Sequence, residues 1–145
     1  MPLAHELLGE IALASGRSEE AIHQLEQEKA ANPLEGSAYE RLGDAYSRVA
    51  RYPEAERVLQ QAVLLEPNAT GPYILLGKVL LKKGEPVGAV TFLQKAEAMD
   101  PANYMTHGLL GQAYRAVGRS ADATRELALT EKIQAADEPK LQTPK

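Results

Sequence analysis

Hydrophobic side chains recur along the chain at the three- and four-residue spacing of amphipathic helices. Two such stripes follow each other in the second quarter of the sequence, and each would give a helix one apolar face. Their lengths predict two helices joined by a short turn. The stripes are Tyr39, Leu42, Tyr46 and Val49, followed by Ala55, Val58, Leu59, Ala62 and Leu65.

The same arrangement returns at one constant interval, the distance from Gly43 to Gly77, which indicates an array of repeated helix pairs. Four units follow at about 2–35, 36–69, 70–103 and 104–137, with a flexible C-terminal tail expected at 138–145. Five columns share this period. They are Leu8, Leu42, Leu76 and Leu110; Gly9, Gly43, Gly77 and Gly111; Ala21, Ala55, Ala89 and Ala123; Leu25, Leu59, Leu93 and Leu127; and Pro33, Pro67 and Pro101.

The turn inside each unit has its own signals. Gly16, Gly84 and Gly118 occupy equivalent positions, and glycine accepts the left-handed conformation that often ends a helix. In the second unit Pro53 stands near the predicted start of the second helix, where its missing N–H has no helical partner anyway. Each unit is therefore predicted to form a helical hairpin.

The glycines inside the first helices call for a packing explanation, because each costs about 1 kcal/mol relative to alanine. A missing side chain lets the partner helix approach closely. The alanine column headed by Ala21 is the expected counterpart across that contact. An isolated pair cannot bury both faces, so stacking of units supplies the core.

At this point the chain resembles the tetratricopeptide repeat (TPR) family, over nearly its whole length. The matching motifs have the form aromatic-x2-Leu-Gly-x2-Tyr followed by Ala-x3-Leu and Pro. In the second unit these are Tyr39-x2-Leu42-Gly43-x2-Tyr46, Ala55-x3-Leu59 and Pro67. The resemblance implies an all-α, right-handed α-solenoid of four antiparallel helix pairs, acting as a non-catalytic scaffold for protein–protein interaction.

The resemblance also implies that the first helix of each pair lines a concave groove in which a partner binds. Carried over to this sequence, that groove contains the following candidate binding residues. They are Glu40, Asp44, Arg48, Ile74, Leu75, Lys78, Leu81, Lys82, Leu109, Gln112 and Arg115.

The net charge and its distribution over the units indicate which kind of partner to expect. The net charge of −4 argues against nucleic acid as a partner. The first unit has seven acids and two bases, a net charge of −5, whereas the third unit is at +1. Apolar candidates stand beside Lys78 and Lys82 in the third unit, so a peptide or helix with apolar anchors and acidic flanks is the expected partner. The simpler alternative is a solvated face over the stacking core.

The sequence offers no signs of catalysis, so no enzyme activity, cofactor or metal site is expected. Cysteine is absent, and the histidines fall in no metal-ligand spacing such as HExxH. Two of them, His5 and His107, stand in the aromatic column and are expected to pack in the core.

Three further expectations concern the surroundings of the chain. No segment resembles a signal sequence or a membrane-spanning helix, so no membrane insertion is expected and the cytoplasm is the default location.

Leu110, Tyr114 and Leu127 are expected to be partly exposed in the last unit, which suggests a homodimer through the C-terminal end. The other interpretation is an oligomerisation or regulatory segment of a larger enzyme or of a secretion or assembly protein.

Overall fold

The computed structural model describes the backbone of residues 2–137 and the side chains of residues 16–136. Over these residues the chain forms seven helices and no strand. The predicted C-terminal tail lies outside the described residues. The helices are α1 (Pro2–Ala31), α2 (Gly36–Arg48), α3 (Tyr52–Leu65), α4 (Thr70–Lys82), α5 (Pro86–Met99), α6 (Tyr104–Ala116) and α7 (Ser120–Asp137).

The helices stack as a solenoid, which confirms the all-α architecture predicted from the sequence repeat. Each helix packs against the next one along the chain, and α2 also contacts α4, as α4 contacts α6. In the described part of the chain α3 does not reach α5, nor α5 reach α7. Successive units therefore come closest to each other along α2, α4 and α6, and these three helices form the inner face of the array.

The first unit differs from the predicted helix pair because α1 continues through Gly16. A methyl group built on Gly16 meets nothing within 4 Å, so no packed neighbour enforces a turn there. In the described chain no element stacks on the other side of α1, and an end unit without a stacked neighbour gains little from folding back. The uninterrupted helical hydrogen bonds then outweigh the cost of one glycine, about 1 kcal/mol.

The three later hairpins share one turn. Ala50, Gly84 and Gly118 stand at equivalent positions of successive units and have φ angles of 61°, 79° and 82°. The amide one residue further on donates to a carbonyl five residues back, as in Arg51 N–H to Tyr46 O at 2.9 Å. This is the Schellman ending of a helix, in which glycine avoids the steric cost of a left-handed residue.

The glycine column serves close packing, but its partner differs from the expected alanine. A methyl on Gly43, Gly77 or Gly111 would overlap the side chain of a leucine in the following helix, which is Leu59, Leu93 or Leu127 respectively. Of these leucines, Leu59 and Leu93 are fully buried. Each hairpin is therefore held by a leucine seated on bare helix backbone, while the alanines pack beside that contact.

Gly16 lies inside a helix, whereas Gly84 at the equivalent position lies in a left-handed turn. The same substitution should therefore have opposite effects at the two positions. Gly16→Ala should raise the free energy of unfolding by about 0.5–1 kcal/mol, because alanine favours the helix interior. Gly84→Ala should lower it by about 1 kcal/mol, because alanine is disfavoured at positive φ. Denaturant titration followed by circular dichroism measures both. Destabilisation by Gly16→Ala would instead indicate a turn at that residue.

Thr106 provides a second stability prediction. Its Oγ1 is the one buried side-chain polar atom for which the described residues offer no hydrogen-bond partner, and the side chain is fully buried. A buried unpaired hydroxyl costs about 1–3 kcal/mol. Thr106→Val keeps the shape and removes the hydroxyl, so it should raise the free energy of unfolding by about 1 kcal/mol. Thr106→Ser, which keeps the hydroxyl and removes a methyl, should lower it.

Candidate functional site

Helices α2, α4 and α6, which form the inner face, carry all eleven residues predicted to line the groove, with different exposures. Five are exposed, five are half-buried and one is buried. The exposed residues are Arg48, Lys78, Lys82, Gln112 and Arg115; the half-buried ones are Glu40, Asp44, Leu75, Leu81 and Leu109; the buried one is Ile74.

Ile74 was expected to line the groove, but the structure buries it. It is only 8% exposed and packs with Tyr73 and Ala96, with Leu109 of the next inner helix against the same cluster. Its position on α4 faces the seam where α4 meets α6, so the neighbouring unit covers it. Ile74 therefore contributes to stacking and offers a partner little surface.

The second unit supplies the carboxylates of this face, Glu40 and Asp44. Burial raises the pKa of the Glu40 carboxyl, and the nearby carboxylates of Glu66 and Asp44 raise it further. Asp44 accepts a hydrogen bond at 3.1 Å from Arg48 Nε. A cleft of about 290 Å³ lies beside it, between α1 and α2, and includes Leu25 and Ala45 among its walls. Arg17, Arg41 and Arg48 line the same cleft, so the carboxylates here have positive charge close by.

The third and fourth units supply the basic part. In the described structure, Lys78, Lys82 and Arg115 form no ion pair with any acidic side chain. By contrast, Arg41 on α2 pairs with Glu28 at 3.0 Å. Charges that are exposed and unpaired remain available to a ligand of opposite sign.

Half-buried leucines lie along the same helices as these cations. Leu75 packs against the core cluster of the second unit, and Leu81 packs against the cluster of the third and fourth units. Each leaves part of its side chain at the surface. The face thus combines apolar patches with exposed positive charge.

A second constellation, which the sequence analysis did not anticipate, lies in the core of the last unit. His107 is 3% exposed and Glu126 is 2% exposed. His107 Nδ1 lies 2.6 Å from Glu126 Oε2 and 3.2 Å from Glu97 Oε2. The expected place of His107 in the core is confirmed, but it sits among charged partners rather than apolar ones.

The other ring nitrogen of His107 continues a pattern of the repeat. Tyr39 and Tyr73 donate their hydroxyl hydrogens to the carbonyl oxygens of Pro33 and Pro67, at 2.8 and 3.0 Å. His107 Nε2 lies 2.5 Å from the Pro101 carbonyl oxygen. Because a carbonyl only accepts, Nε2 must carry a hydrogen. The histidine thereby ties down the loop between units as the tyrosines do.

The electrostatics of this cluster favour protonation in two places. Burial alone lowers the pKa of His107, but the Pro101 carbonyl and the carboxylates of Glu126 and Glu97 outweigh it, so the pKa lies above its usual value. Burial raises the pKa of Glu97, and the neighbouring Glu126 raises it further, against the opposing effect of His107. Two carboxyl groups therefore share one imidazole.

The expected apolar patch at the C-terminal end is not present in the form predicted. Leu110 is fully buried and Tyr114 is 3% exposed, while Leu127 is half-buried. Tyr114 is covered because its hydroxyl accepts a hydrogen bond from Gln94 Nε2 at 2.9 Å, and the Arg119 guanidinium lies 4.5 Å from its ring centre. The side chain of His5 lies outside the described residues.

Among the described residues, no helix combines the length and the apolar character that a bilayer crossing requires.

Comparison with protein families agrees with the repeat architecture. A family model described as tetratricopeptide repeat matches residues 40–104, and a second with the same description matches residues 105–128. A model described as bacterial transcriptional activator domain matches residues 2–67. A search of curated proteins gives no match.

Solved structures of MamA proteins share the fold. A crystal structure of MamA aligns with a TM-score of 0.78 at 23% identity, covering 89% of this chain and 75% of that one. MamA 41-end from Desulfovibrio magneticus RS-1 aligns with a TM-score of 0.79 at 22% identity, covering 92% and 76%. Sequence identities this low show only that the two proteins share a fold. Together with the two repeat models and the periodic glycine–leucine hairpins, they identify the chain as a tetratricopeptide repeat protein, a helical scaffold for protein–protein interaction.

Proposed function

We propose that the inner face of α2, α4 and α6 binds a peptide or helix of a protein partner, and that the bound segment carries apolar anchors with acidic flanks. The observation that carries this proposal is the pair Lys78 and Lys82 on α4, exposed and without an ion-pair partner among the described residues. They accompany Leu75 and Leu81 on the same helix.

Several other cations in the described part of the chain already have a carboxylate partner. Arg48 pairs with Asp44, Arg51 with Glu54, and Lys83 with Glu56. Lys78 and Lys82 have no such partner among the described residues. An acidic ligand would neutralise them, and the half-buried leucines would receive its apolar side chains.

The charges along the face also suggest an orientation. Glu40 and Asp44 occupy the second unit, and Arg115 follows the lysines in the fourth. An acidic segment would therefore lie over the third and fourth units, and a neutral or basic segment over the second. Such matching sets the register of a ligand more than its affinity.

We further propose that the chain performs no reaction of its own, as is typical of tetratricopeptide repeats. The inner face holds no paired nucleophile and base among its described residues. The partner is therefore proposed as a ligand to be held rather than a substrate to be changed.

Peptide selection tests the proposed groove directly. Random peptides displayed on phage are selected against the purified chain, and the enriched peptides are titrated by fluorescence anisotropy. We expect acidic residues around leucine, isoleucine or phenylalanine anchors. Lys78→Glu combined with Lys82→Glu should weaken binding at least about tenfold, since each lost charge-assisted contact is worth about 1 kcal/mol or more.

A matched control uses two other exposed lysines, Lys95 on α5 and Lys132 on α7. Their change to glutamate alters the net charge equally, so any loss of affinity there measures long-range charge alone. Circular dichroism confirms that both double variants remain folded. Equal binding by wild type and the Lys78/Lys82 variant would contradict the proposed groove.

The homodimer through the C-terminal end, and with it the alternative of an oligomerisation segment, retains less support. Two of the three side chains that suggested it are buried, and the third, Leu127, is half-buried. Light scattering across a range of protein concentrations distinguishes this alternative: a dimer would argue for it, and a monomer for the groove acting alone.

A further inference from the structure

We propose that Glu97, His107 and Glu126 form a binding site for a divalent transition-metal cation of the zinc class. Three helices supply the ligands: Glu97 lies on α5, His107 on α6 and Glu126 on α7. One nitrogen and two carboxylate oxygens lie within 4.8 Å of one another. The site is independent of the inner-face residues proposed above.

The tautomer of His107 is the one that a metal ligand needs. Because Nε2 donates its hydrogen to the Pro101 carbonyl oxygen at 2.5 Å, a neutral imidazole has its lone pair on Nδ1. That atom faces Glu97 and Glu126. A backbone acceptor on the far ring nitrogen is the usual way in which proteins orient a metal-bound histidine.

The negative charge of the two carboxylates makes this cluster suitable for a divalent cation. Two carboxylates converge on one imidazole, and in the described structure neither carboxylate contacts a lysine or arginine. A divalent cation balances both carboxylates and leaves the imidazole neutral as a ligand, and it competes with protons on His107 and Glu97 for these positions.

Comparison of the repeats within this chain shows that all three ligand positions differ in residue type from their equivalents one repeat earlier. At the preceding interface between units the equivalent residues are Val63, Tyr73 and Phe92, which lie in or against one apolar cluster, with the Tyr73 and Phe92 rings 6.5 Å apart. One repeat later, all three are metal-ligating types. Buried charge is costly, and packing alone is already achieved by the apolar version.

The spacing of the donor atoms requires only a small adjustment. Tetrahedral zinc with bonds of about 2.0–2.2 Å places its ligand atoms about 3.4 Å apart. His107 Nδ1 is 3.2 Å from Glu97 Oε2 and 2.6 Å from Glu126 Oε2. The Glu97 side chain is 31% exposed, so it offers both an entry path and room for a water molecule as fourth ligand.

The donor set also predicts selectivity. Imidazole with carboxylates suits zinc and its first-row neighbours, whereas magnesium and calcium prefer oxygen alone. Binding should therefore be observed with Zn²⁺ and Co²⁺, and it should be far weaker with Mg²⁺ and Ca²⁺.

The test titrates ZnCl₂ into the full chain after removal of metal with a chelator, by isothermal calorimetry near neutral pH. We expect one Zn²⁺ per chain with a micromolar or lower Kd, and a rise in Tm of at least about 5 °C at saturation. Co²⁺ should give the visible absorption of a tetrahedral site. Glu126→Gln, which keeps the side-chain shape, should weaken binding at least tenfold.

Two control variants separate the site from other effects. Glu97→Val, His107→Tyr and Glu126→Phe together install the residues of the preceding interface, and this variant should remain helical and bind no Zn²⁺. His23→Ala removes an exposed histidine whose side-chain partner among the described residues is Gln27, and it should bind as the wild type does.

Two results would overturn the assignment. One is a wild-type chain that takes up no Zn²⁺ even at a large excess of metal over protein. The other is stoichiometric binding that Glu126→Gln and the triple variant leave unchanged, which would place the metal elsewhere. Should the triple variant fail to fold, the comparison of Glu126→Gln with His23→Ala still decides the question.

Discussion

The architecture depends on one steric constraint, the seating of a leucine side chain on the bare backbone of a glycine in the preceding helix. The contact recurs as Gly43 with Leu59, Gly77 with Leu93 and Gly111 with Leu127. It sets how closely the two helices of a hairpin approach, and therefore how each hairpin presents its faces to the next. Because every one of these hairpins repeats the same approach, the first helices gather on one side and form the inner face.

That constraint also explains how much of the fold can be predicted from the sequence. A column of glycines inside helices is costly unless packing repays it, so the period by itself indicates paired helices. The left-handed turns at Gly84 and Gly118 follow from the same register. The failure at Gly16 has a physical cause: a turn glycine only permits a turn, and no element of the described chain stacks beyond α1 to enforce one. A local pattern could not reveal that missing neighbour.

The sites were less predictable because they depend on contacts between units. Helical periodicity correctly assigns Lys78 and Lys82 to the inner helices, but it cannot distinguish the exposed surface of these helices from the seam that buries Ile74. The cluster around His107 escaped motif analysis because its ligands come from three helices and show no short spacing. Aligning the units would have revealed it, since the positions of Val63, Tyr73 and Phe92 are taken one repeat later by Glu97, His107 and Glu126.

A double-mutant cycle on Gly77 and Leu93 tests the central contact most directly, with the free energy of unfolding as the measured quantity. In the wild-type background Gly77→Ala should destabilise the chain by about 1–3 kcal/mol, because the new methyl overlaps the buried leucine. In a Leu93→Ala background the same change should be neutral or stabilising, since the methyl enters the vacated space and alanine favours the helix. Equal effects in both backgrounds would contradict the account.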